Sequence, residues 1–182
     1  MKESLSPGIE HEFAFRVPES KTVPNLYPES EEFQAMPQVF ATGFFVGLIE
    51  WACIRAVNPH LDWPAEQTVG THVDVSHEAA TPPGLEASVR VRLMGVEGRR
   101  LSFEVEASDG VDIIGRGRHE RAVIDAQRFE NNVARKSGEK RDEKVLRHSS
   151  QHSSPILPDR PAPLRPALLT PWSHLGPAAL PG

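Results

Sequence analysis

Phe40-Ala41-Thr42-Gly43-Phe44-Phe45-Val46-Gly47-Leu48-Ile49-Glu50-Trp51-Ala52-Cys53 is a run of helical length whose apolar side chains go nearly all the way round the helical wheel. A helix of this kind needs other structure on most of its sides. It limits the chain to folds in which a sheet or further helices wrap one central helix. The pattern predicts a helix from about Thr42 to Ala56 that ends before Asn58-Pro59, since the residue ahead of a proline is pushed out of helical backbone.

What surrounds that helix reads as strand. His11 to Val17 alternates with Phe13, Phe15 and Val17 on one face. Pro18, Pro24 and Pro28 then interrupt the backbone, and Phe33, Met36 and Val39 stand at helical spacing within Glu31 to Val39, which predicts a short helix or lid. Four period-2 runs follow the long helix. They are Gln67 to Glu78, Leu85 to Leu93, Leu101 to Ala107, and Val111 to about Ile124. Turn residues at Gly95 to Gly98 and at Asp109-Gly110 suit antiparallel hairpins, and Ala126 to Arg135 predicts a closing helix. The order of strand, long helix and four-strand antiparallel meander excludes a doubly wound parallel sheet and predicts an α+β fold.

A chain of 182 residues with 38% hydrophobic content supports one domain with a real core. That domain is expected to span residues 1 to 138, because 8 of the 17 prolines fall in the last 44 residues. Residues 139 to 182 therefore predict a Pro-rich, disordered extension, with Leu164 to Leu169 and Trp172 as the competing reading of a docking motif. That extension carries six Lys/Arg against four Asp/Glu, which leaves the body at net −7 and argues against nucleic acid as a partner. The single cysteine, Cys53, allows no intrachain disulfide and no cysteine metal cluster, and fits a reducing compartment. The amino terminus lacks a signal-peptide core and no apolar run of about 18 residues occurs, so the expectation is a soluble, cytoplasmic protein without a membrane partner.

Glu50 is the costly residue of the long helix. An ionised carboxylate taken from water without a partner costs several kcal/mol, about 2 to 7 even for a neutral polar group, so Glu50 has to be paired, protonated or in reach of a wet cleft. Alternation puts His77 on the face of Val73 and Val75, toward the helix, where it is either a core histidine bonded to a carbonyl or a base oriented by Glu50. Thr42 is either an N-cap worth about 1 kcal/mol or a reactive or positioning hydroxyl beside the free amides of a helix amino terminus. Eight residues of helix separate Thr42 and Glu50 by about 12 Å, so a bend near Gly43 or a second subunit is needed to unite them. Arg121 reads as an anion-holding cation or an exposed strand-end residue, Gly70 as a site of close approach by a ligand or a bulge, His119 as a structural or secondary polar contact, and Cys53 as core packing.

The segments Leu26-Tyr27-Pro28-Glu29-Ser30, Phe40-Ala41-Thr42-Gly43-Phe44, Glu50-Trp51-Ala52-Cys53, Thr81-Pro82-Pro83-Gly84-Leu85, Glu97-Gly98-Arg99-Arg100-Leu101 and His119-Glu120-Arg121-Ala122-Val123 resemble the fluoroacetyl-CoA thioesterase family of the hot-dog fold, over roughly residues 9 to 135. The resemblance implies a hot-dog homodimer that hydrolyses an acyl-CoA thioester without metal or organic cofactor. It places the catalytic set on Thr42, Glu50 and His77, and substrate contacts on Gly70, Arg121 and the lid residues Phe33 and Met36. The family's lid pattern has a second phenylalanine where this chain has Met36, a substitution that bears on fluoroacyl selectivity. A noncatalytic acyl-CoA-binding module and a different hot-dog enzyme on CoA esters, such as a dehydratase, are the rival functions.

Overall fold

The computed structural model describes residues 1–136. The expected extension at 139 to 182, with its docking-motif alternative, lies outside the described residues. Strand β1 (Glu10–Arg16) is followed by two single 3-10 turns, a one-turn helix α1 (Glu31–Gln34), the long helix α2 (Thr42–Val57), strands β2 (Glu66–Val75), β3 (Glu86–Glu97), β4 (Arg100–Ser108) and β5 (Ile113–Asp125). A last helix, α3, occupies residues 126–136. One antiparallel sheet has the order β1-β3-β4-β5-β2.

This order corrects the expected four-strand meander. Only β3, β4 and β5 follow one another as hairpins; β2 crosses to the far edge and pairs with β5. The reason lies in residues 76–85, which carry Pro82 and Pro83 and are too long and too rigid for the tight turn that would fold β2 back on β3. The β3–β4 and β4–β5 turns use Gly98 at φ 58° and Gly110 at φ 86°, where a side chain would strain the backbone. Asp109 reinforces the second turn by accepting from the amides of Val111 (3.0 Å) and Asp112 (2.9 Å) and from the Thr81 hydroxyl (3.0 Å).

The core lies between α2 and the sheet's concave face. Phe45, Leu48, Ile49, Ala52, Cys53 and Val57 of the helix are buried with Val89, Val91 and Leu93 of β3 and Leu101, Phe103 and Val105 of β4. Each fully buried large apolar side chain contributes about 1.5 to 3 kcal/mol, so this seam supplies most of the force that curls the sheet round the helix. The wrap is one-sided. Gly43, Gly47, Trp51 and Arg55 face outward, with Trp51 46% exposed. Trp51 packs edge-on against Phe13 of β1 at 4.5 Å between centroids, and beside it Phe15, Phe40, Phe44 and Leu48 line an apolar hollow of about 310 Å³.

Helix α1 is shorter than its apolar spacing predicted. Ser30 caps α1 by accepting from the Phe33 amide at 3.4 Å, but Met36 precedes Pro37, which stops the helix before Val39 is reached. Tyr27 packs at a tilt against Phe33, 5.3 Å between ring centroids, and the Gln34 side-chain amide donates to the carbonyls of Pro24 (3.0 Å) and Pro28 (3.2 Å). Leu26 packs over Gly43, where a Cβ would stand only 3.0 Å from its nearest methyl.

Candidate active site

Thr42 is the first residue of α2, and the cap position falls one residue earlier, on Ala41. The expected N-cap role of Thr42 therefore does not hold. Its hydroxyl lies 2.8 Å from Nδ1 of His77 instead. His77 stands two residues past β2, yet the chain stays extended there because the amides of Ser76 and Glu78 donate to the carbonyls of Arg116 (2.9 Å) and Ile114 (2.8 Å). Alternation turns Ser76 and Glu78 outward, where they bond each other at 2.6 Å, and turns His77 inward onto the ring of Phe45 at 4.9 Å. Gly115 on β5 makes that seat available: a Cβ there would stand 2.8 Å from the Phe45 ring and would collide with the Ser76 carbonyl.

Burial holds the His77 pKa below its ordinary value, so the imidazole is neutral at neutral pH. With the Thr42 hydroxyl donating to Nδ1, the other ring nitrogen carries the proton; Nε2 is buried without a hydrogen-bond partner among the described residues. The pair thus presents a hydroxyl whose proton already points at a base, beside the first-turn amides of α2, which have no intrahelical acceptors. The geometry suits attack on a carbonyl and stabilisation of the oxyanion that forms.

Glu50 belongs to a second group. Its Oε1 lies 3.7 Å from Nη1 of Arg121 and 3.9 Å from Nε2 of His119, and its side chain is 39% exposed. Within one chain Glu50 does not meet His77: His77 bonds Thr42, and the carboxylate is turned to β5. Helix α2 runs unbroken from Thr42 to Val57, so no bend at Gly43 brings Thr42 and Glu50 together. Of the outcomes open to a carboxylate in an apolar helix, the chain takes two, a cationic partner and partial access to water.

Arg121 is 1% exposed, which removes the reading as a surface cation. Its Nε donates to Thr68 Oγ1 at 3.0 Å and its Nη2 to the Thr68 carbonyl at 2.8 Å. The anion it faces is Glu50. Gly70 marks the expected bulge, since β2 shifts register between Gly70 and His72, and what approaches it closely is the chain's own Glu50, whose Oε1 a Cβ at Gly70 would overlap. Cys53 packs in the core beneath this group, and burial pushes its thiol up to about 12. Phe33 is half-buried in the lid, and Met36 beside it is 52% exposed. Phe45, Gly115 and Thr68 were not singled out from sequence; the glycines at 115 and 117 inside one strand were the signal for the first two. Among the described residues, no three His, Cys, Asp or Glu side chains are grouped to hold a metal ion.

Residues 17–127 match the family model described as fluoroacetyl-CoA-specific thioesterase. The fluoroacetyl-CoA thioesterase of Streptantibioticus cattleyicolor is 54% identical over 137 residues, 75% of this chain and 98% of the relative. A crystal structure of a variant of a fluoroacetyl-CoA-specific thioesterase in complex with fluoroacetate and CoA is 56% identical, superposes with a TM-score of 0.67, and covers 69% of this chain and 99% of that one. A hot-dog-like protein from Thermanaerovibrio acidaminovorans, at 22% identity and a TM-score of 0.60 over 71% of this chain and 91% of that chain, shares the fold alone.

Proposed function

The chain belongs to the fluoroacetyl-CoA-specific thioesterase family, an enzyme family of the hot-dog fold, and we propose that it hydrolyses fluoroacetyl-CoA or a related short acyl-CoA to the free acid and CoA. The observation that carries the reading is the Thr42 hydroxyl 2.8 Å from His77 Nδ1 at the amino end of α2. The thioester carbonyl sits over that end, His77 takes the proton as Thr42 Oγ1 attacks or as Thr42 positions a water for attack, and the first-turn amides receive the oxyanion. Its collapse breaks the C–S bond, His77 returns the proton to the departing CoA sulfur, and if Thr42 attacked, a water activated by His77 then hydrolyses the acyl-Thr42 ester. A positioned base contributes about 100- to 10,000-fold and an oxyanion donor about 2.7 to 4 kcal/mol, enough for a hydrolase on an activated thioester. Gly70, Arg121, Phe33 and Met36 line the acyl end, Arg121 acting through Glu50, and the reaction uses no metal or organic cofactor. The setting is cytoplasmic; among the described residues no helix is long and apolar enough to cross a membrane.

The working unit is a homodimer in which Thr42 and His77 of one copy meet Glu50 of the other. Support comes from the two separate groups within one chain and from β2, a sheet-edge strand with Val73 exposed beside the Gly70 bulge. Purified protein is expected to release thiol from acetyl-CoA or fluoroacetyl-CoA, and His77→Ala to lose most of that rate. Recovery of unaltered acyl-CoA after binding would replace the enzyme by a binding module, and an altered acyl group still on CoA by another hot-dog enzyme. Mixing unfolded Thr42→Ala and Glu50→Ala chains and refolding them together tests the shared site. Random pairing then restores about a quarter of wild-type activity, because each mixed dimer keeps one intact site. No restoration would place all three residues in one chain's site.

A further inference from the structure

The group around Glu50 contains one side chain to which neither the reaction nor the core assigns a task. His119 is 0% exposed, and its neighbours determine its protonation. Nδ1 lies 2.8 Å from the His72 carbonyl, which only accepts, so Nδ1 carries a proton. Nε2 lies 3.1 Å from Nη1 of Arg121, which only donates, so Nε2 is bare. Both contacts require the same neutral tautomer. The 3.9 Å approach of Glu50 to Nε2 is therefore not an ion pair, and among the described residues the charge partner of Glu50 is Arg121.

Arg121 has three contacts with distinct consequences. Thr68 takes Nε and Nη2, which fixes the plane of the guanidinium, while His119 takes Nη1, the nitrogen nearest Glu50. The register shift between Gly70 and His72 sets the His72 carbonyl against His119, and Gly70 leaves room for the carboxylate, with His119 Cε1 3.2 Å from the place a Cβ would take. The groups that act on the imidazole are the His72 carbonyl of β2, Arg121 and Glu120 of β5, and Glu50 of α2; Cys53 of α2 lies close to Arg121. We infer that His119 is a positioning residue for the hydrolysis: as a neutral acceptor it locks Nη1 of Arg121, and through it sets where the Glu50 carboxylate stands. The inference rests on the proposal that Glu50 takes part in the reaction.

Asparagine and glutamine separate the two ring nitrogens. His119→Gln can place an amide oxygen where Nε2 stands and keep the acceptor for Arg121, whereas His119→Asn can keep only the donor toward the His72 carbonyl. Thiol release from fluoroacetyl-CoA and acetyl-CoA is expected to fall on the order of 100-fold in kcat for His119→Asn with KM little moved, and to recover largely in His119→Gln. Wild-type kcat in a folded His119→Asn, or equal impairment of the two variants, would overturn the inference. Nitrogen-15 NMR of the wild-type protein at neutral pH gives a reading that no variant's folding can confound: Nδ1 protonated and Nε2 bare for His119 supports it, and a proton on Nε2 overturns it. If the wild type released no thiol from either substrate, the hydrolase reading would fail, and the NMR result would still decide the tautomer.

Discussion

A side chain at position 70 would occupy the space that Glu50 uses. Glycine within a strand costs about 0.5 to 1 kcal/mol relative to alanine, so alanine would be the better strand residue were nothing close by. What a Cβ would meet is Glu50 Oε1, the far end of a flexible side chain, and not backbone. Gly70→Ala is therefore expected to leave the thermal midpoint within a few degrees of wild type while thiol release falls on the order of 100-fold, because the carboxylate gives way and the sheet does not. A variant that folds and keeps its rate would remove Glu50's position from the reaction. The partners of this group were not legible in the sequence, although its members were. Alternation puts His119 and Arg121 on the inward face with Val123, but period-2 spacing says nothing of which residue across the sheet or helix a guanidinium will meet. Glu50 was legible as a residue needing a partner, but the spacing did not show that within one chain this partner is Arg121 and not the nearer histidine in the pattern, His77.

At the scale of elements, type was legible and arrangement was not. Helix α2 ends at Val57, as Asn58-Pro59 required, and each period-2 run became a strand. The sheet order depended on the crossover through residues 76–85, a connection whose path no local pattern encodes. The lid shows the same division. Its start follows from the Ser30 cap and its end from Pro37, while its packing depends on Tyr27 against Phe33 and Leu26 over Gly43. Met36, where the resemblance led to a second phenylalanine being expected, is exposed and carries a flexible thioether. Discrimination between a fluoroacyl and an acetyl group draws on small differences in pocket contact, worth about 1 to 3 kcal/mol at most for one apolar change. Met36→Phe is expected to raise the ratio of kcat/KM for fluoroacetyl-CoA over acetyl-CoA with little effect on stability. An unchanged or lowered ratio would move selectivity away from this position.

For the described body as a whole, burying neutral histidines ties stability to pH. Burial is the largest influence on both His77 and His119, and it lowers both pKa values below the ordinary 6.5; His11 of β1 is lowered for the same reason, with Arg55 of α2 adding to it. The unfolded chain then binds protons at a higher pH than the folded one, so unfolding takes up protons and the free energy of unfolding rises with pH in that interval. The contribution is fully present above about pH 6.5 and is lost as the pH falls through the lowered folded values. The lowered carboxyl groups act in a separate window. Glu12 and Asp109 sit below their ordinary values of 4.5 and 3.8, so what their bonds contribute is lost only at more acid pH. Denaturant unfolding measured from about pH 7.5 to about pH 5 is therefore expected to show stability nearly level at first and then declining, with the carboxylates still ionised. His119→Gln removes one of the titrating groups, so its slope in that interval is expected to be shallower than the wild type's even if its stability at neutral pH is lower. A steeper or identical slope would mean that His119 is already charged in the folded chain, and the Nη1 contact with Arg121 could not then exist as an acceptor bond.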